Sequence, residues 1–115
     1  MSFSRIKAVC VEDSVETEDV LVVDLFVNTD SSARPMESFG YTIDGGDKWP
    51  IYIIPKDKEG LLHWGAGEGN ATSTVNLFQR KIQIGEYITR TDTDRSGTSE
   101  CTYRITEVFD WSQLR

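Results

Sequence analysis

The chain has 115 residues, of which 38% are hydrophobic and 27% charged, and its formal charge is −7 at neutral pH. This is the composition of a globular chain with enough length for one hydrophobic core, so residues 1–115 are expected to form a single all-β domain and not a disordered, collagenous or repeat-built protein. The longest apolar run, Val20 to Val27, is broken by Asp24 and falls well short of the roughly 18 residues that a membrane-spanning helix requires.

In chain order, Arg5 to Val11 alternates, with Ile6, Ala8 and Cys10 on one face, and reads as a first strand. The acidic stretch EDSVETED, residues 12–19, reads as a solvated connection. Val20 to Val27 is nearly continuous in β-branched and aromatic residues, which predicts a central strand covered on both faces. Residues 28–38 combine turn formers with Pro35 and predict a loop. Phe39 to Ile43 and Trp49 to Ile54 flank Asp44-Gly45-Gly46-Asp47 and predict a hairpin, with Pro50 placing the start of its second strand at a sheet edge or bulge.

Leu61 to Trp64 is a short apolar piece, and Ala71 to Phe78 reads as a strand or a short helix. The clearest signal comes last. KIQIGEYITRT (81–91) and SECTYRITEVF (99–109) alternate on either side of the polar tip DTDRSGT and predict a second hairpin. Many short strands separated by Gly, Asp and Ser turns imply a small, partly open β-barrel of five to seven strands built from hairpins.

The charge is uneven, because residues 1–69 hold six Lys/Arg against thirteen Asp/Glu whereas residues 70–115 hold six of each. Overall acidity argues against general phosphate binding, yet the neutral C-terminal part leaves room for a local basic strip. Within it, Tyr87, Arg90, Tyr103 and Arg104 form a candidate stacking and phosphate-binding set for single-stranded RNA, with cross-strand packing as the competing explanation.

The hairpin tip supplies a second candidate. Asp92, Asp94 and Ser96 precede Gly97 in the order that opens a calcium loop, and Glu100 offers a further oxygen. The twelfth position is Tyr103 where a bidentate Glu belongs, and ordinary turn chemistry uses the same residues. A third candidate is a pocket bordered by His63, Trp64, Gly65 and Gly67, although the GAGEGN segment meets no phosphate-loop fingerprint and Glu68 opposes one. His63 is the only histidine and lacks a neighbouring nucleophile motif; the two cysteines and this histidine have no zinc-finger spacing. No cofactor is implied.

No signal-peptide pattern opens the chain, so a cytoplasmic location is expected, with Cys10 and Cys101 as reduced thiols and the Asn70-Ala71-Thr72 sequon a chance match. IQIGEYITRT followed by TYRITEVF resembles the strand pairs of Sm-like small barrels. That resemblance implies a ring-forming, RNA-binding barrel, but the two signature blocks of that family are not found in order, so no RNA-contacting residue transfers. Small structural proteins of tailed-phage virions are a second resemblance. The expected function is a non-catalytic binding or assembly module that associates with itself, with an RNA-binding ring, a virion component and an enzyme with a pocket near His63 as alternatives.

Overall fold

The computed structural model describes residues 2–64 and 72–113. Eight strands follow one another: β1 (Ser2–Glu12), β2 (Val15–Val27), β3 (Ser38–Asp44), β4 (Asp47–Lys56), β5 (Glu59–His63), β6 (Thr72–Val75), β7 (Tyr87–Asp94) and β8 (Gly97–Asp110). Each pairs antiparallel with the next, and β8 returns to β1, closing an up-and-down barrel. The expectation of five to seven strands in a partly open barrel is therefore corrected to eight in a closed one. The reason is that β5 and β6, of five and four residues, are too short for alternation to tell a strand from a helical turn or a loop.

Alternation drives the inside–outside division. Ile6, Ala8 and Cys10 of β1, Leu21, Val23 and Leu25 of β2, Ile51 and Ile53 of β4, Leu62, Val75, Ile88 and Ile105 all enter one core. Val22 points to the outer face yet is 3% exposed, between its ladder partners Lys7 and Tyr41. This local cover explains why the apolar run of β2 includes Val22 between the inward Leu21 and Val23.

The acidic run is not a loop. β1 continues to Glu12 and β2 begins at Val15, leaving a two-residue turn in which Asp13 and Ser14 have φ of 50° and 65°, the hand that matches strand twist. Thr17 to Asp19 bulge opposite Cys10, where the Thr17 hydroxyl donates to the Cys10 carbonyl at 3.0 Å. Gly45 and Gly46, with φ of 60° and 89°, turn β3 into β4 in the same way. Pro50 pairs with Tyr41 on one side and, among the described residues, β4 meets β5 only from Tyr52 onward, so its missing N–H falls where no second ladder runs.

Residues 81–86 also depart from expectation. They form a connection and not the start of a strand, because Gly85 adopts a φ of 96° and Ile82 turns inward. Together with Ala33 and Leu77, Ile82 plugs the barrel end opposite the short turns. The two plugging connections are tied by Ile82 N–H to the Ser31 carbonyl at 2.7 Å and by Lys81 Nζ to the Asp30 carbonyl at 2.7 Å. From Thr72 onward, the segment read as a strand or short helix forms β6 followed by a 3-10 turn at Leu77–Gln79, and residue 71 lies outside the described residues.

Trp111, just after β8, packs on the outer wall. Arg5 forms a two-pronged pair with Asp24 at 3.0 and 2.9 Å, Trp111 Nε1 donates to the same carboxylate at 3.0 Å, and the guanidinium lies 5.0 Å from the Trp111 ring. Partial burial works against ionised Asp24, but the bonds from Arg5 and Trp111 prevail and hold its pKa below the usual carboxylate value.

Two consequences are measurable. A Cβ on Gly40 would sit 1.9 Å from the Val22 carbonyl oxygen, a backbone atom, so Gly40→Ala is expected to cost about 3 kcal/mol or more in urea unfolding. Because the folded-state pKa of Asp24 is depressed, its stabilisation is present above the unfolded value of about 3.9 and is lost as pH falls through the folded value. The stability gap between the wild type and Asp24→Asn should therefore narrow under acid titration; a gap independent of pH would contradict this role.

Candidate functional site

Two features of the barrel stand apart from ordinary core and surface: a polar network inside one end, and an apolar stripe on one outer wall. The first lies at the end formed by the turns at 13–14, 45–46 and 95–96. Arg90, two residues beyond the core residue Ile88, keeps the inward parity of β7 and is 6% exposed. Its Nη1 donates to the Tyr103 oxygen at 2.8 Å and its Nε to Asp92 Oδ2 at 3.1 Å. Its Nη2 reaches Asp92 Oδ2 at 3.0 Å and Asp44 Oδ2 at 3.4 Å. Ser73 donates to the other Asp92 oxygen at 2.7 Å and accepts from Trp64 Nε1 at 2.9 Å, while the Trp64 ring lies 5.1 Å from the guanidinium.

Burial opposes charge on Arg90, but the Tyr103 oxygen and the Asp92 and Asp44 carboxylates outweigh it, so its pKa is raised. Burial dominates at Tyr103 and drives its phenol upward, with Arg90 opposing. Burial likewise pushes the Cys101 thiol up to about 12. The result is a neutral phenol, a neutral thiol and a guanidinium whose three nitrogens are all engaged. These groups tie β3, β6, β7 and β8 together across the interior, and they present neither a poised base nor an activated nucleophile.

The second feature follows from register. Phe39 of β3 faces Tyr52 of β4, which faces His63 of β5, so three aromatic rings line up along the hydrogen-bonding direction. Tyr52 and His63 stack at 4.7 Å and 10°, and Phe39 and Tyr52 lie 6.2 Å apart at 30°. Tyr41 and Pro50 make the next row on one side, with Lys48 Nζ 4.0 Å over the Tyr41 ring, and Ile54 and Leu61 the next on the other. Phe39 is 61% exposed. The opposite wall mixes Lys7, Thr89, Thr91, Glu100, Thr102, Arg104 and Glu107 with the separately placed aromatics Phe3, Tyr87 and Phe109 at its outward positions.

The structure separates residues that the sequence grouped. Tyr87 and Arg104 are ladder partners on the outer wall and share a shallow groove with Val11, Ser14, Glu16 and Thr102. Arg90 and Tyr103 point inside, so the four do not make one face. Parity in the sequence carried this signal, since Arg90 follows Ile88 and Tyr103 precedes Ile105 by two.

The proposed calcium ligands also diverge. Asp92 faces inward and is occupied by Arg90 and Ser73, Glu100 faces outward to accept from Thr91, and Asp94 accepts from the Ser96 N–H and hydroxyl in a local turn. Those two bonds hold the Asp94 pKa low. Among the described residues no cluster of three or more His, Cys, Asp and Glu side chains is arranged to hold a metal.

His63 and Trp64 lie on opposite faces of the barrel wall, one stacked on Tyr52 outside and the other bonded to Ser73 inside, so they do not border one pocket. His63 Nε2 is buried without a hydrogen-bond partner. Gly65, Gly67 and the first two sequon residues lie outside the described residues. The aromatic stripe itself escaped sequence reasoning because its third member depends on the β4–β5 register. Comparison with protein-family models, curated proteins and solved structures gives no match to this chain.

Removing Arg90 leaves the Tyr103 oxygen and the Asp92 carboxylate without their main donor in a partly dry site, so Arg90→Ala is expected to cost about 3 kcal/mol. Tyr103→Phe should cost about 1 kcal/mol. Chemical denaturation checks both, and an unchanged midpoint for Arg90→Ala would remove the network from the account of stability.

Proposed function

We propose that the protein is a non-catalytic binding and assembly module whose β3–β5 outer wall docks against the same wall of a second copy. The observation that supports this reading is the continuous stripe Phe39–Tyr52–His63 with its flanking rows, three rings in register across three strands. Contiguous exposed aromatic surface is costly in water and is the usual mark of a partner-binding face.

Charge distribution favours a second copy as the occupant. Glu12, Asp13, Glu16, Asp44, Asp47 and Asp94 gather at the network end of the barrel, while the stripe and its flanking rows contain no carboxylate. A two-fold, wall-to-wall pairing with the barrels antiparallel sets the two acidic ends apart and buries the aromatic rings at the centre. Among the described residues the closed barrel leaves only short unpaired edge pieces, such as residues 47–51 and 97–100, so association through side chains is favoured over association through strand pairing.

Light scattering across a concentration series tests this. The wild type should approach twice the chain mass, and Phe39→Ser should raise the dissociation constant by about tenfold or more at an unchanged melting temperature. A wild-type mass that stays at one chain at the highest attainable concentration refutes self-association. A dimer unaffected by Phe39→Ser and Tyr52→Ser assigns it to another surface.

A further inference from the structure

The seam between β1 and β8 joins the first and last strands, and its ladder ends toward the network end at the pair Cys10–Tyr103. Cys101 lies one inward position beyond that pair on β8, where it faces Arg90 of β7. Both cysteines are free, Cys10 is 3% exposed and Cys101 is half-buried, and the Cys10 thiol is among the groups that raise the Cys101 pKa. Thus the two cysteines of the chain, far apart in sequence, occupy neighbouring inward positions on adjacent strands where the closing ladder stops.

We propose that Cys10 and Cys101 form a reversible disulfide that locks the β1–β8 seam at the network end. Diagonal neighbours on adjacent strands usually stand roughly 7–8 Å apart at Cα, beyond the roughly 6.8 Å that a disulfide usually spans, so bond formation must draw the strands together by about 1 Å. The local structure permits that movement. β8 from Gly97 to Glu100 is exposed and has no ladder partner on β1, and β1 is already bent opposite the Thr17–Asp19 bulge.

A low-molecular-weight disulfide such as oxidised glutathione is the oxidant. The thiolate of one cysteine attacks it, forming a mixed disulfide and releasing one glutathione thiolate. The second cysteine loses its proton, attacks the mixed disulfide, and releases the other. Two protons leave the protein and two electrons pass to glutathione. Burial of Cys101 keeps it protonated at neutral pH, so exchange is slow in the closed barrel and faster when the seam opens.

The test is incubation of the full chain with oxidised glutathione, with and without sub-denaturing urea, followed by acid quenching and mass spectrometry. The expected product is a monomer about 2 Da lighter than the reduced chain, with a Cys10–Cys101 linked peptide and a melting temperature higher by roughly 10 °C that dithiothreitol reverses. Cys10→Ala and Cys101→Ser should each abolish the mass loss and the shift. Two thiols that still react with maleimide after both incubations, stable glutathione adducts on both, or a bond only between chains would overturn the proposal.

Discussion

Closure of the sheet through β1 and β8 is the constraint on which the rest of the structure depends. Seven of the eight strand pairs join neighbours in sequence and need only short-range contacts. The eighth joins Ser4–Cys10 to Tyr103–Asp110, nearly the full length of the chain apart. Without it, Ile6, Ala8, Tyr103 and Ile105 would lie on open sheet edges; with it, they become the wall of a filled interior. The seam bulges at Thr106, whose hydroxyl donates to the Lys7 carbonyl at 3.3 Å, and this bend is one way the last strand meets the first.

Closure also sorts polarity. The interior of this eight-stranded barrel is filled by side chains, so inward positions are apolar or paired, with the buried, unpartnered Thr42 hydroxyl as an exception among the described residues. Most are aliphatic. At one end Arg90, Asp92, Asp44, Ser73 and Tyr103 satisfy one another, whereas at the other Ala33, Leu77 and Ile82 come from connections and seal the core with hydrocarbon. Outside, no such requirement holds, and the wall is free to differ around its circumference. The aromatic stripe in register on β3–β5, and the Thr, Lys and Glu positions interspersed with Phe3, Tyr87 and Phe109 on β7, β8 and β1, are that difference, which is why the docking face is argued from the wall and not from the interior.

Much of this was legible in the sequence, and the failures have physical causes. The hairpin around Gly45-Gly46 fixes its own register, so the Phe39–Tyr52 pairing follows from the turn alone, and parity along Ile88-Ile105 segments places Arg90 and Tyr103 with the core. Residues 12–19 looked like a loop because acidic residues have low strand propensity; cross-strand pairing and the Asp13-Ser14 turn override that preference. Residues 81–86 looked like a strand because Ile82 and Ile84 alternate, yet Ile82 is drawn into the plug, Ile84 is left 67% exposed, and Gly85 supplies the positive φ that breaks the extended run. The stripe and the adjacency of Cys10 and Cys101 depend on pairing between segments far apart, which no single-chain pattern records.

The most direct measurement of the central claim is residue-resolved amide hydrogen exchange on the seam, together with cross-strand proton contacts between β1 and β8. Closure predicts contacts for the pairs Ile6–Val108 and Ala8–Ile105 and exchange at Val9 and Arg104, the pair whose N–H groups face each other across the seam because Ile105 turns its own to Glu86, as slow as at the β2 amides Leu21 and Val23. Seam amides that exchange at the rate of the exposed turn residues, with no contact between the two strands, would show an open sheet and contradict the account.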